Sequence, residues 1–415
     1  MSSGINKTQP DVTVKGTPDT TDMSSPGENN RLVFVIEALT VGGAEQMLVA
    51  MANQLQNRGW ECHMVCLTLA GDLAERLDPN VHLHVLDKKP GVDFALAKRL
   101  RKLVNTVNPV ALNSHLWTAN LWTRLALIGT GRRIIVTEHS RDTWKPAHYR
   151  LIDRLLAPFT YRLVAVSNDT AGFYIEQIKI AASKVVVINN GIDTSRYSPD
   201  ADPGSEVKDI RRALAPDNQL LIGTVGRMID AKNHKRLVKA YAQVVTEFPE
   251  TRLVFVGDGP ERDSLENYIS DMGLQSRIEL TGLRRDVPSI LRVLDIFVLS
   301  SDREGHPMTA LEAQTTGTPV VLTDAGGSAD AIVQEINHTQ PVEHGVVPMS
   351  DIRAPLAAGL LVEKSADALA DGLRMLLSSE QLRESMGQLG ARCAPQLFDE
   401  KVMVSQYLDL FTGET

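Results

Sequence analysis

Cysteine is scarce: Cys62, Cys66 and Cys393 are the only three in 415 residues, an odd set with no disulfide framework. A reducing, cytoplasmic setting suits them. Cys62 and Cys66 sit in the alternating segment Cys-His-Met-Val-Cys-Leu, with no second ligand pair of metal spacing elsewhere, so they read as buried structural thiols. Positive charge is not in excess. A net charge of −8 argues against a general nucleic-acid binder, and no nucleic-acid partner is expected. No run approaches the ~18 apolar residues of a membrane span. The N-terminus lacks the basic-then-apolar pattern of a signal peptide. Gly-x-Gly-x-x-Gly, a Walker loop, His-Glu-x-x-His and a Ser-His-Asp grouping are all missing. An Asp-x-Asp that could hold Mg²⁺ or Mn²⁺ occurs only as Asp200-Ala-Asp202, in a Pro-rich stretch with no strand before it. It reads as linker acidity, and neither a metal nor another cofactor is expected.

What is present is 43% hydrophobic and 23% charged, the balance of a globular chain long enough for two domains. The most informative stretch is Glu304-Gly-His-Pro-Met-Thr-Ala-Leu-Glu312, set between the apolar runs Leu294–Ser300 and Thr318–Leu322. Ile296–Leu299 reads as a buried strand. Pro307 suits the first turn of a helix. Met308, Leu311 and Ala313 give that helix an apolar side, and Gly317 ends it. Two carboxylates thus flank one helix N-terminus at the carboxyl end of a strand, where open α/β sheets bind ligands and helix dipoles favour phosphate. A phosphate-favouring helix start with carboxylates for hydroxyl groups suits a sugar nucleotide.

Residues 1–30 hold almost nothing to bury and are expected to be a disordered tail. Strand-like runs then alternate with helical patterns from Leu32 to Ile188 and again from Leu220 onward. Asn190–Gly204, rich in turn formers, reads as the linker. The expected fold class is α/β, with two Rossmann-like, doubly wound parallel-sheet domains facing across a cleft. The expected divisions are a first domain over 31–200, a second over 201–397 and a C-terminal helix over 398–415, which the family resemblance given below makes acceptor-side, nucleotide-sugar-binding and packed on the first domain. Asn337–Pro355 has no clear period and reads as a long loop of opaque purpose.

Each candidate has a plainer alternative. Gly42-Gly43-Ala44-Glu45 joins the first strand to the first helix, where glycines admit a phosphate or simply turn the chain. Arg227 and Lys232 follow a strand end in the second half. They are two cations for a diphosphate, or two solvated loop residues. Gly257 in Val-Gly-Asp-Gly-Pro suits a loop near a nucleotide base or a structural turn. His139, after the strand ending at Thr137, could hydrogen-bond a donor sugar or be structural, and His115 is a weaker cleft candidate. The stretch Lys88–Lys102 is basic and amphipathic. It reads as a solvated helix face or as a peripheral contact with an anionic membrane, where each basic residue adds about 1 kcal/mol.

Together these motifs resemble the GT-B retaining glycosyltransferases of family 4. They fall in that family's order: Gly-Gly-Ala-Glu at 42–45, Thr-Glu-His-Ser at 137–140, Ala-Val-Ser-Asn at 165–168, Val-Ile-Asn-Asn-Gly-Ile-Asp at 187–193, Val-Gly-Arg at 225–227 with Lys232, Val-Gly-Asp-Gly-Pro at 256–260, and Glu304 and Glu312. The resemblance implies that Gly43 presents its N–H to a donor phosphate and that His139 contacts the donor sugar. It implies Arg227 and Lys232 on the diphosphate, Glu304 on sugar hydroxyls and Glu312 on ribose hydroxyls. Gly42, Gly257, Gly305, His306, Pro307 and Met308 complete the expected donor site, with His115 and Glu45 on the acceptor side. His306 stands where the family commonly has an aromatic. The implied activity moves a hexosyl-type unit from a nucleotide sugar, UDP-sugar favoured, to a glycan or lipid-linked acceptor with retention of configuration, at the inner face of a membrane or in the cytoplasm. Polysaccharide or glycolipid assembly is the implied setting. The alternatives are an epimerase of the same fold, which needs no acceptor, and a non-catalytic nucleotide-sugar-binding protein.

Overall fold

The computed structural model describes residues 29–141, 143, 146–201, 204–334 and 357–414. The Asn337–Pro355 segment, Asp202 and nearly all of the N-terminal tail lie outside them. β-Branched runs become two sheets, parallel in every pairing. The first has strands β1 (Arg31–Ala38), β2 (Glu61–Leu69), β3 (His82–Val85), β4 (Ala111–His115), β5 (Ile134–Glu138), β6 (Arg162–Ala165) and β7 (Val185–Val187), in spatial order 3-2-1-4-5-6-7. The second has β8 (Leu220–Val225), β9 (Thr251–Val256), β10 (Ile278–Gly282), β11 (Ile296–Leu299), β12 (Val320–Thr323) and β13 (Gly359–Val362), in order 10-9-8-11-12-13. These are two Rossmann-like domains.

Helices cover both faces of each sheet. The first set is α1 (Gly43–Asn57), α2 (Phe94–Val107), α3 (Trp117–Ala126), α4 (Ala147–Leu156), α5 (Asn168–Glu176) and the short α6 (Thr194–Tyr197). The second is α7 (Gly204–Leu214), α8 (His234–Val244), α9 (Arg262–Asp271), α10 (Val287–Val293), α11 (Met308–Thr315), α12 (Ala366–Leu377) and α13 (Glu380–Phe398), followed by α14 (Glu400–Thr412). The expected all-turn linker therefore contains α6 and is followed directly by α7. Alternation along β1 sends Leu32, Phe34 and Ile36 to one core and Val33 and Val35 to the other.

Helix α14 crosses back onto the first domain. Met403, Val404, Tyr407, Leu408 and Phe411 join the same buried cluster as Phe34 and Met51, and the Phe34 and Phe411 rings meet edge to face at 6.1 Å. The crossing is clasped to the earlier one. Ile192 N–H donates to Phe398 O at 2.9 Å, and Glu400 N–H donates to Ile192 O at 2.8 Å. A side-chain carbon at Gly191 would lie 2.5 Å from Glu400 Cα, so only glycine fits there.

Each sheet reverses its winding at one point, between β1 and β4 in the first and between β8 and β11 in the second. The crevice at the carboxyl ends of those strands is where such sheets take ligands. Because α14 completes the first domain's core, Phe411→Ala should lower the denaturation free energy of that domain by about 3–5 kcal/mol. A urea titration that leaves the midpoint unmoved would show α14 to be an appendage.

Candidate donor and transfer site

Four strand ends at the two reversal points carry most of the expected residues. β1 leads to Gly42 and Gly43, β4 ends on His115, β8 leads to Arg227 and Lys232, and β11 leads to Glu304.

The β8 and β11 loops are locked together. Ser300 Oγ–H donates to Lys232 O at 3.0 Å, Asp302 N–H donates to Ala231 O at 2.8 Å, and the Arg236 guanidinium pairs with Asp302 at 2.6 Å. In this frame Lys232 Nζ donates to Glu304 Oε1 at 2.7 Å, and Ser301 Oγ–H donates to the same oxygen. Both land on Oε1 rather than Oε2. Glu304 is held through its backbone too, its N–H donating to Ala325 O at 2.7 Å. Arg227 is exposed, and its charge acts on Glu45 of the first domain. The glycines after β9 serve this frame rather than open a pocket. A carbon added at Gly257 would sit 2.0 Å from Gly226 O, and Met228 N–H donates to Asp258 O at 2.8 Å.

Across the cleft, Gly42 caps α1 in an extended conformation, and Gly43 faces the start of α11. A side-chain carbon at Gly43 would lie 3.4 Å from Met308 Sδ. Two helix N-termini therefore converge, one from each domain, with their orphan N–H groups and dipoles favouring an anion. Met308 packs against the cores of both domains. Pro307 is the residue before α11 rather than in its first turn, and the helix is buried along nearly its whole length instead of on one side. Glu45 folds back over the α1 N-terminus, where Thr40 Oγ1–H donates to it at 3.3 Å. Burial raises its carboxyl above the usual range, and the Arg227 charge opposes that rise. Glu45, expected on the acceptor side, lies in the first turn of α1 with its carboxylate beside Gly42.

His139 follows β5 and is fixed from behind. Asn113 Nδ2 donates to Thr137 Oγ1 at 3.0 Å and to Ile135 O at 3.3 Å, which turns Asn113 Oδ1 toward His115 Nε2 at 2.6 Å. His115 therefore carries its proton on Nε2, and its Nδ1 accepts from His139 Nε2–H at 3.0 Å. That tautomer leaves His139 Nδ1 as an acceptor. Desolvation lowers His139 to about 4 and His115 well below its ordinary value, so both are neutral near pH 7. Thr137 Oγ1 also meets the Tyr407 hydroxyl at 3.1 Å, so α14 terminates this chain of hydrogen bonds. His115 is thus corrected. Wholly buried with both ring nitrogens engaged, it orients His139 and touches no acceptor.

The two domains meet at backbone contact. A side-chain carbon at Gly305 would lie 1.7 Å from His139 O, and one at Gly327 would lie 2.9 Å from Ser167 Oγ. His306 is a second correction. It is 3% exposed, packs edge to face on Phe398 at 5.5 Å and donates Nε2–H to Asp330 O at 3.3 Å. Asn190 Nδ2 meanwhile donates to the His306 carbonyl at 2.9 Å. Its ring belongs to the interior beneath the cleft and cannot shape a sugar pocket.

Glu312, one helical turn beyond Met308, lines a cavity of about 420 Å³ with Gln46, Arg196 and Tyr197. Burial pushes its carboxyl up to about 7, against the pull of a hydrogen bond from Tyr197 and the Arg196 charge. Tyr197 and Arg196 sit on α6, inside the stretch that reads as plain linker. The cavity contains none of Arg227, Lys232 and Glu304.

Two parallel-sheet domains closing on an anion-favouring cleft define the GT-B class. Family models match the chain in succession: Glycosyltransferase Family 4 over residues 41–196 and Glycosyl transferases group 1 over residues 206–392. The chain belongs to glycosyltransferase family 4. It is 30% identical over 213 residues to a UDP-Gal:alpha-D-GlcNAc-diphosphoundecaprenol alpha-1,3-galactosyltransferase of Escherichia coli, a match covering 49% of this chain and 54% of that relative. It thus spans about half of that protein's length. It is 24% identical to N-acetyl-alpha-D-glucosaminyl L-malate synthase of Bacillus anthracis, over 90% of this chain and 94% of that one. Among solved structures, Anabaena HepE in complex with UDP has the same fold at a TM-score of 0.77, with 21% identity over 93% of this chain and 100% of that one.

The Glu312 environment has a pH signature. The folded protein retains a proton that the unfolded chain releases between its ordinary value of 4.5 and about 7, so stability falls as pH rises through that window. Glu312→Gln should raise the thermal midpoint at pH 8, and the difference should vanish toward pH 4.5. A difference independent of pH would show the carboxyl to be ordinary.

Proposed function

We propose that this chain transfers a hexosyl-type unit from a nucleotide sugar, a UDP-sugar in preference, to a glycan or lipid-linked acceptor with retention of configuration, in polysaccharide or glycolipid biosynthesis. The observation that carries the reading is the convergence of the α1 and α11 N-termini with Arg227 and the Lys232–Glu304 pair at both reversal points. The second domain would hold the donor, and the first would present the acceptor. The UDP preference is supported by the Escherichia coli relative, whose name specifies UDP-Gal, and by the UDP bound to Anabaena HepE.

In the proposed reaction the bond from the anomeric carbon to the diphosphate oxygen breaks. The acceptor hydroxyl oxygen bonds to that carbon on the face the nucleotide leaves, and its proton passes to the departing phosphate oxygen. Arg227, Lys232 and the Gly43 and Met308 N–H groups would carry the leaving charge, so no divalent metal is invoked. Glu304 Oε2 would orient the donor sugar, with neutral His139 as a second hydrogen-bonding partner. Glu312 would take the ribose hydroxyls.

The basic helix supports a peripheral anionic membrane contact as part of this reading. Leu96, Leu100 and Val104 of α2 face the core, while Lys98, Arg101 and Lys102 are exposed, and Val92 and Phe94 stand out at 72% and 78% exposure. No described helix is long and apolar enough to cross a membrane.

Calorimetry with UDP-, GDP- and ADP-sugars, without added metal, should show micromolar affinity for one base, about −8 kcal/mol. Arg227→Ala and Lys232→Ala should each lower turnover by ~10²–10³. Near-normal turnover in both folded variants would defeat the proposed leaving-group chemistry, and donor conversion without an acceptor would select the epimerase. Vesicles containing anionic lipid should co-sediment with the protein, and Lys98→Glu with Arg101→Glu should release it. Equal binding to neutral vesicles would remove the charge argument.

A further inference from the structure

At the far edge of the first sheet, away from the cleft, four side chains of β2 and β3 share one face. β2 begins with Glu61 and carries His63 two residues on, while β3 begins with His82 and carries His84. The parallel register sets His82 beside His63 and His84 beside Val65. One ligand atom from each of Glu61, His63 and His82 lies within 4.8 Å of the other two, the single such grouping among the described residues. His63 is 7% exposed, with Nε2 at 3.0 Å from Glu61 Oε1 and Nδ1 at 3.1 Å from His84 Nε2. The His63 and His82 rings stack at 4.7 Å.

We propose that Glu61, His63 and His82 form a divalent transition-metal site, zinc foremost, with His84 as the outer partner that orients His63. Two imidazoles and a carboxylate with a fourth position left to water suit zinc, which prefers tetrahedral nitrogen and oxygen ligands. Ligands about 2.1 Å from such an ion lie about 3.4 Å apart, so small rotations of Glu61 and His82 close the set. His63 needs none, because its other nitrogen is already engaged by His84, the arrangement that fixes a metal-binding imidazole's tautomer. The ion would draw on His63 Nε2, and the proton would reside on Nδ1, donated to His84. Arg31, the register neighbour of Glu61 on β1, is a positive charge that acts on His63, and the Glu61 carboxylate opposes it.

The site stands at the amino ends of its strands, whereas the sugar-nucleotide cleft is built at the carboxyl ends. Its effect would be structural. β3 is a four-residue edge strand, with Leu83 and Val85 at 39% and 38% exposure, and a bridging ion would hold it to β2. No spacing rule shows this group in the sequence, because its ligands meet only through strand pairing.

The test uses the full chain stripped by chelator and titrated with zinc chloride. One zinc ion should bind per chain at micromolar affinity or tighter, and amide exchange over residues 82–85 should slow. His82→Gln, at an exposed position compatible with folding, should weaken binding at least tenfold and abolish the protection. His63→Gln should do the same, and His148→Gln, on exposed α4, should change nothing. No zinc binding, or binding and protection that survive His82→Gln, would overturn the proposal.

Discussion

The two crossings between domains are fastened to each other, and the cleft depends on that fastening. Ile192 exchanges backbone hydrogen bonds with Phe398 and Glu400, and Gly191 lets the strands approach. Without this clasp, α14 and the Asn190–Tyr197 segment would be independent tethers, and two domains on loose tethers sample many separations. With it, the second domain approaches at a set angle, close enough for Gly305 to lie on the His139 carbonyl and for Asn190 to bond the carbonyl of His306. The glycine at 305 is therefore a requirement of domain closure rather than of a local turn.

The electrostatics of the cleft follow from how its charges are held. Lys232 is paired with Glu304, so the cleft does not carry a bare, partly buried ammonium. Glu45 plays the matching part at the α1 N-terminus, within reach of Arg227. A diphosphate entering this site would compete with both carboxylates for the same cations and dipoles. The architecture thus keeps its positive groups fixed and compensated by neighbouring carboxylates.

Much of the fold was legible because buried parallel strands are short β-branched runs. Ile296–Leu299 appears in the structure with the bounds read from sequence, and the second series begins at Leu220 as read. Local patterns failed where tertiary packing decides. α6 forms among turn formers because Tyr197 reaches a core and Glu312. α7 carries Val207, Ile210 and Leu214 at helical spacing, a signal available in the sequence but overshadowed by the adjoining Pro and Gly. At the site, strand-end position pointed to Lys232 and Glu304, which pair, and to His139, whose carbonyl meets Gly305. It could not distinguish a cleft histidine from one behind it, because His115 and His306 differ from His139 in burial rather than in sequence context.

The chain from Tyr407 to His139 joins these points. Tyr407, Thr137, Asn113, His115 and His139 are linked by successive hydrogen bonds, and the first and last residues come from segments with no local sequence relation. Each partner removes a rotational or tautomeric choice from the next, so His139 presents one nitrogen in one protonation state. A neutral imidazole fixed in this way can recognise a hydroxyl without competing for protons near neutrality. Since its first member, Tyr407, belongs to α14, the helix that closes the first domain's core also sets the orientation of the ring at the cleft. Domain closure and hydrogen-bond readiness at His139 are consequences of the same C-terminal crossing.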